Sequence, residues 1–426
     1  MDLPSKKKVI VIAALLAGLS HIIFFKQYIK GSIFALFQLV FIFFLPRISN
    51  ILYGVITLGH PAPHLPIMQR DHSMFMLIDG VAMFALVVLF FVVYAINIKD
   101  VKYMHETLSR NGRIISSDKT FVILGLLPSV LLVVFLIIVP LIFAALVAFT
   151  NYSAPFHIPP ANTVDWVGFD NFRSLFGGQL HWTGSLVRVA LWTVTWAALA
   201  TLTTYFGGMT LAVIMKEFNI KFASVFRTIF ILPYAVPAVI SMLIWRNLLN
   251  SQFGAINRTL IHFGLISEGI TWLGSEAMVR FSVVMINLWV GFPYFMLLIL
   301  GTMTAISQDV FDAARIDGAN KFQVFKSISL PLITYQTMPL IIMSFTHNIN
   351  NFGAIYFLTG GGPPVHDTAI SSAGASDILI TWIYGLTMNT MRYNYASVLA
   401  IMIFIMLAPF AIFNFMRTKS FKEGEV

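Results

Sequence analysis

The residues with the most chemical potential in this sequence carry no charge. Asn287, Trp289 and Tyr294 fall within one long apolar run, and Ser344, Asn348, Asn350 and Asn351 within another. Tyr234 sits between Pro233 and Pro237 in a third. An amide both donates and accepts, and an aromatic face stacks on the apolar face of a sugar ring. The set therefore suits a neutral polyhydroxylated solute. Polar groups in hydrocarbon must also find partners, and hydrogen bonding between neighbouring helices is the competing use. On the residues alone, hydrogen bonding between helices is the favoured use.

Other chemistries find little support. No G-x-x-x-x-G-K-[ST] phosphate loop is present, so the chain does not bind ATP by that route. Gly360-Gly361-Gly362-Pro363-Pro364 lacks the lysine and reads as a chain-reversing turn. His60, His64 and His72 are loosely spaced without accompanying carboxylates or thiolates, so a solvated loop is expected and no metal site. The chain has no cysteine, which excludes disulfides and thiolate chemistry. His347 reads as a neutral helix-packing residue. The runs from 121 onward show none of the buried carboxylates that ion-driven carriers keep at depth.

These residues must be positioned by membrane-spanning helices. The chain has 426 residues, 58% hydrophobic and 11% charged, with mean hydropathy +0.84. Such a composition excludes a water-soluble globule and implies an all-α polytopic membrane protein. Apolar runs at 32–58, 75–98, 121–150, 186–215, 225–248, 277–302, 336–358 and 395–416 each supply the roughly 20 residues that a span needs, giving about eight crossings. The run at 9–25 is short and lysine-flanked, and reads as interfacial or re-entrant. The expected division is an N-terminal membrane region, 1–120, holding that segment, two spans and a basic loop, followed by a six-helix core, 121–426.

The net charge of +9 reflects lysines and arginines beside the apolar runs and does not suggest nucleic acid. Lys99, Lys102, Arg110, Arg113, Lys119, Lys216, Lys221, Arg227, Arg315, Lys321, Lys326, Arg417, Lys419 and Lys422 fall on one side, against Arg173, Arg258 and Arg392 on the other. The positive-inside rule then predicts both termini and the 303–335 loop in the cytoplasm. The 151–185 loop, with Trp166, Phe169, Phe172, Leu175 and Phe176, is expected outside, as a cap on the membrane surface or a docking surface.

The 303–335 loop carries the most specific pattern. Ser307 is a plausible N-cap, with Asp309 and Asp312 in or near the first turn. Gly318 can end that helix, and Asn320 with Gln323 forms a capping-box-like restart. Phe322, Phe325 and Ile328 then follow at helical spacing, and Pro331 is expected to stop the second helix. Asp312, Ala313, Ala314, Asp317, Gly318, Ala319, Ile328, Leu330 and Pro331 resemble the E-A-A-x-x-D-G-A…I-x-L-P signature of ATP-binding-cassette importer permeases, with aspartate for glutamate at the first position. The runs 230–237, 287–294 and 350–363 are similar to the maltose and maltodextrin type of that family.

That resemblance implies a bacterial cell-membrane transport subunit with a six-helix permease core and no enzymatic activity or cofactor of its own. ATP and Mg would bind a partner ATPase. It further implies a second homologous permease, two cytoplasmic ATP-binding subunits and an extracellular sugar-binding protein as partners, besides membrane lipid. The family's sugar contacts carry over to Tyr234, Asn287, Gly291, Tyr294, Ser344, Asn348 and Asn351. A permease without its own nucleotide site must receive force through a cytoplasmic element, and Asp312, Ala313, Ala314, Asp317, Gly318, Ala319, Phe322 and Phe325, in the one loop with a patterned apolar face, are the expected coupling residues. An ion-coupled sugar carrier is the second reading, and a membrane enzyme the third.

Overall fold

The computed structural model describes residues 5–111, 119–158, 162–177, 180–217 and 221–417. The two termini, expected in the cytoplasm, lie outside the described residues. Among the described residues the fold is helical, with a single antiparallel bridge from Thr150 to Trp166. Among the described residues seven helices are long and apolar enough to cross a membrane, or eight with a bent pair taken as one span. The chain forms two compact units, Met1–Gly168 and Phe169–Val426. The boundary between these units falls after Gly168.

The first unit comprises α1 (Lys6–Leu15), α2 (Leu19–Ile23), α3 (Tyr28–Thr57), α4 (Ser73–Asn111), α5 (Lys119–Val133) and α6 (Val139–Val147). A π-helical turn, Val134–Ile138, joins α5 to α6, and α6 packs on α4, which is why this helix groups with the amino-terminal region. α1 and α2 are 10 and 5 residues long, each too short to cross.

The α1–α2 break is closed by side chains of α3 and α4. Gln38 Oε1 accepts from Ala17 N at 2.5 Å, and Asn97 Oδ1 accepts from Gly18 N at 3.1 Å. Asn97 Nδ2 and the Tyr94 hydroxyl donate back to Ala13 O and Ala14 O. Backbone away from water cannot stay unpaired, so these amides are what allow the break. Lys6 pairs with Glu106 at 2.6 Å, while His21 and Lys30 meet Asp100 at 2.8 and 2.5 Å. Both ends of the hairpin therefore lie against the same end of α4.

The second unit comprises α7 (Asp170–Phe176), α8 (Leu180–Glu217), α9 (Ala223–Ala235), α10 (Ala238–Leu248), α11 (Ala255–His262), α12 (Glu276–Ala305), α13 (Gln308–Ile316), α14 (Lys321–Val324), α15 (Leu330–Ile349), α16 (Phe352–Thr359), α17 (Thr368–Ser371), α18 (Leu379–Met388) and α19 (Tyr393–Arg417). α8 is the central element, packed on α12 and α15. Trp192, Trp196 and Ala200 of α8 are buried with Val279, Val283 and Ile286 of α12. α9 and α10 meet at a 92° bend at Val236-Pro237. Trp166 Nε1 bonds Val55 O in the first unit, whereas Leu175 is buried in the second.

Pro331 does not stop its helix. The chain runs as one apolar span from Lys321 to Ile349, through a π-helical turn at Phe325–Ser329. Proline removes an N–H and its ring crowds the carbonyl four residues back; the wider π turn takes up that mismatch. The same device precedes Pro140, after Val134–Ile138.

The segment after α16 folds back over α8. Arg188 Nη2 pairs with Asp367 at 2.7 Å, Ser185 Oγ donates to the same carboxylate at 2.5 Å, and Arg188 Nη1 donates to Gly374 O at 2.7 Å. Burial pushes the Asp367 carboxyl up, but the Ser185 hydroxyl and the Arg188 guanidinium together hold it below the usual carboxylate range. Nearby Asp377 is pushed up by burial, which outweighs the Gly374 N–H, the Thr381 hydroxyl and the Arg188 charge.

Two outcomes are expected. Arg188→Met should sharply lower the thermal midpoint in detergent, because an uncompensated buried carboxylate costs about 3–5 kcal/mol. The folded Asp367 carboxyl titrates below its unfolded counterpart. Its contribution is thus complete above about pH 4 and lost as pH falls through the lower folded value. Asp367→Asn should remove that acid-side loss, which calorimetry between neutral and acid pH checks. Separately, cysteines placed at Ser5 and Lys30 should label from one side of the membrane in intact cells; labelling from opposite sides would mean that the hairpin crosses.

Candidate functional site: the open aromatic face and the exposed loop

α12 begins at Ser275, whose hydroxyl accepts from Met278 N, and one side of it is buried against α8. On that side Asn287 Nδ2 reaches Ala200 O at 3.5 Å, a long contact at the limit of a hydrogen bond. Gly291 lies where a Cβ would come within 2.6 Å of Thr204 Cγ2. The space that glycine leaves is thus filled by the Thr204 methyl, and not held open for a sugar ring. Glycine is required here for helix approach.

Tyr294 behaves differently. It is 38% exposed and faces Tyr234, 54% exposed, with ring centroids 6.3 Å apart and planes at 33°. Tyr234 occupies the last turn of α9, just before the bend. On α10 beyond it, Trp245 meets Trp289 of α12 edge to face at 5.3 Å. The bend thus presents two aromatic rings to two on α12. This surface is uncharged from Thr228 to Trp245 and from Phe281 to Gln308, and neutral rings in such a setting suit stacking on an uncharged solute.

The amides of α15 are already engaged. Asn348 Nδ2 donates to Thr201 Oγ1 at 3.1 Å, and its backbone oxygen accepts from Trp196 Nε1 at 3.1 Å. Asn351 Nδ2 donates to Asn348 Oδ1 at 3.3 Å, while its own Oδ1 accepts from Ala354 N and caps α16. About three turns earlier on α15, Thr337 shares a hydroxyl hydrogen bond of 3.0 Å with Tyr205. Ser344 is half-buried between them. The seven residues therefore divide. Asn287, Gly291 and Asn348 belong to the seams with α8, Asn351 is half-buried at a helix cap, and Tyr234 and Tyr294 stand open. His347 is exposed on α15, contrary to its expected packing role.

Charged residues outside the apolar face also shape the unit. Besides Arg188, Arg280 pairs with Glu276 at 2.7 Å and lies 4.6 Å over the Trp192 ring. Its position four residues after Glu276 on one helix was the available signal.

The 303–335 loop is built as its sequence suggests at the caps. Ser307 Oγ accepts from Asp309 N. Asn320 and Gln323 form a complete capping box. Ala319 N bonds Ala314 O and Gly318 N bonds Arg315 O, each at 3.0 Å, with Gly318 at φ +79°; this is a Schellman termination, which glycine alone adopts without strain. Asp312 accepts from Gln308 and pairs with Arg315 at 3.1 Å. Ala314 is buried, Ala313 and Asp317 are exposed, and Ala319 is half-buried. The apolar stripe splits. Phe325 packs inward beside Leu330, whereas Ile316 (86% exposed) and Phe322 (71%) face outward. Two large apolar side chains on an exposed turn mark a contact surface.

Comparison with known proteins supplies the frame. Residues 207–419 match the family model described as the binding-protein-dependent transport system inner membrane component. The chain is 34% identical over 428 aligned positions to the galactooligosaccharides transport system permease protein GanP of Bacillus subtilis (strain 168), covering 98% of this chain and 99% of that protein. It is 34% identical over 418 positions to the maltodextrin transport system permease protein MdxF of the same organism, covering 94% and 93%. In fold it is similar to a chain in the crystal structure of a bacterial alginate ABC transporter in complex with an alginate pentasaccharide-bound periplasmic protein. The TM-score is 0.56 at 21% identity, covering 71% of this chain and 95% of that one. The helical, multi-pass chain belongs to the family of inner membrane components of binding-protein-dependent transport systems, and is a permease subunit of that kind.

Proposed function

We propose that this permease subunit lines the path of an ATP-driven importer for a neutral oligosaccharide of the maltodextrin or galactooligosaccharide class. The observation that carries the reading is the open, uncharged aromatic face at the α9–α10 bend, where Tyr234 and Tyr294 stand 6.3 Å apart. Full-length similarity to GanP and MdxF, named as permeases for such sugars, supports the substrate class. The tyrosines supply stacking surfaces and phenol hydroxyls. Ser344 and Asn351, half-buried, supply polar edges. Asn287, Gly291 and Asn348 contribute by setting the α8–α12 and α8–α15 spacing on which the path depends, and come to the solute when those seams slide.

The chain works with a second homologous permease, two cytoplasmic ATP-binding subunits that carry ATP and Mg, and an external sugar-binding protein. Ile316 and Phe322 form the surface that enters a cleft on the ATPase. Ala313, Asp317, Gly318 and Ala319 hold the turn between them, Asp312 fixes the preceding helix through Arg315, and Ala314 and Phe325 anchor the loop inward.

Three outcomes test this reading. Tyr234→Ala and Tyr294→Ala should cut maltodextrin or galactooligosaccharide uptake at least several-fold while basal ATP hydrolysis by the assembled complex stays normal. Asn348→Ala should instead loosen the α8–α15 seam, at about 0.6–1.7 kcal/mol for a membrane hydrogen bond, and lower the thermal midpoint as well as uptake. Uptake unchanged in both tyrosine variants would remove the face from the path. In the loop, Gly318→Asp forces a side chain into the left-handed region, at about 1–2 kcal/mol, beside the contact surface. It should abolish uptake and weaken ATPase co-purification while the subunit still inserts; a variant that assembles and transports normally would end the docking role.

A further inference from the structure

Two charges within the first unit's spans take no part in anything described above. Arg47 lies within α3 and Asp79 within α4, and both are exposed. Among the described residues neither side chain has an ion-pair or hydrogen-bond partner. Both line one groove of about 560 Å³ between the two helices, whose other walls are apolar. Its floor is the stack of Phe41 on Phe90, with centroids 3.7 Å apart and planes at 7°, and Phe37 adjoins the same ring at 5.6 Å. A charge in a membrane span is costly unless it reaches the interface or finds a partner.

The spacing fixes the depth. No charged residue occurs between Lys30 and Arg47 on α3, or between Asp79 and Lys99 on α4. At about 1.5 Å per residue those intervals are about 25 and 30 Å, close to the hydrocarbon thickness of a bilayer. Arg47 and Asp79 thus mark one headgroup level, and Lys30 and Lys99 the other. From Arg47 the groove runs back to Phe37 and Phe90, about 15 Å along the helices, which is one leaflet's depth of acyl chain. Its mouth carries one cation and one anion; its length is apolar.

We infer that this groove is a binding site for a zwitterionic phospholipid of the phosphatidylethanolamine kind. The guanidinium of Arg47 takes the phosphate and the carboxylate of Asp79 takes the ammonium. One acyl chain lies along Val40, Phe44, Met83 and Leu86, which with Arg47 and Asp79 line the groove. A bare anionic lipid would leave Asp79 unmatched and repelled, so the pair of opposite charges selects for a headgroup that carries both.

The test is native mass spectrometry of the full-length subunit in its purified transporter, titrated with phosphatidylethanolamine or phosphatidylglycerol of identical acyl chains. The intact protein should retain the ethanolamine lipid preferentially. Arg47→Gln and Asp79→Asn should each weaken its retention about tenfold, as expected for one hydrogen bond to a charged group. Asp79→Lys should shift the preference to phosphatidylglycerol. Met83→Trp fills the groove without touching either charge and should lower retention of both lipids. Equal retention of the two lipids by the intact protein, or retention unaffected by all four substitutions, would overturn the site and leave ordinary annular lipid. The same holds if the isolated subunit binds the lipid but the assembled transporter does not, because a partner helix then occupies the groove.

Discussion

An unpaired backbone amide in hydrocarbon costs several kcal/mol, and the shape of this protein follows from how each helix interruption meets that cost. The α1–α2 break is satisfied by Gln38, Asn97 and Tyr94. The α15–α16 break is satisfied by Asn351, itself held by Asn348. Before Pro140 and Pro331 the helix widens into a π turn and continues. Amides that look like solute ligands in the sequence are thus drawn into caps wherever the helix stops. Tyr234 and Tyr294 cap no helix and form an open face instead.

The same rule makes α8 the reference element of the second unit. Trp196, Thr201, Thr204 and Tyr205 offer polar or small groups at intervals along it, and α12 and α15 dock through those groups. Such seams are specific in register but individually weak. Hydrogen bonds between membrane helices average about 0.6 kcal/mol, so a seam of two or three can be exchanged by a modest force. The Arg188–Asp367 pair is the opposite kind of contact, a buried charge pair that is expensive to break. It fastens the returning loop to α8.

Much of this was legible in the sequence because it is local. The spans follow from apolar length, and Ser307, Gly318 and the Asn320–Gln323 box follow from capping chemistry within a few residues. What was not legible is either non-local or concealed by geometry. Arg188 and Asp367 are separated by 179 positions, and nothing in either neighbourhood announces the other. Asn287 and Tyr294 share a helical interval, yet one faces α8 and the other the open surface, since two seven-residue-spaced positions straddle the edge of the packed side. Pro331 read as a stop because a proline removes a hydrogen bond; that the helix would absorb the loss by one π turn depends on the apolar run on both sides of it. Arg47 and Asp79 each stand alone in an apolar run, and only the packing of α3 on α4 brings them to one groove.

The continuity past Pro331 changes how the loop can act on the path. Had the helix ended there, Phe322 would sit on a separate segment, and motion at the loop could dissipate in a hinge. Instead one helix of about 43 Å, at about 1.5 Å per residue, joins Lys321 to Ile349 and carries Phe322 near one end and Asn348 at the other. In the proposed function, a displacement of Phe322 by a partner ATPase tilts this rod against α8. The contacts it must exchange are Tyr205–Thr337 and Thr201–Asn348, both weak enough to slip. Releasing Asn348 also frees the Asn351 amide that depends on it, so amides held as caps in one state become available as ligands in another. In the proposed function, the structural and solute-binding uses of these residues then belong to two states of one seam, of which the capped state is the one seen here.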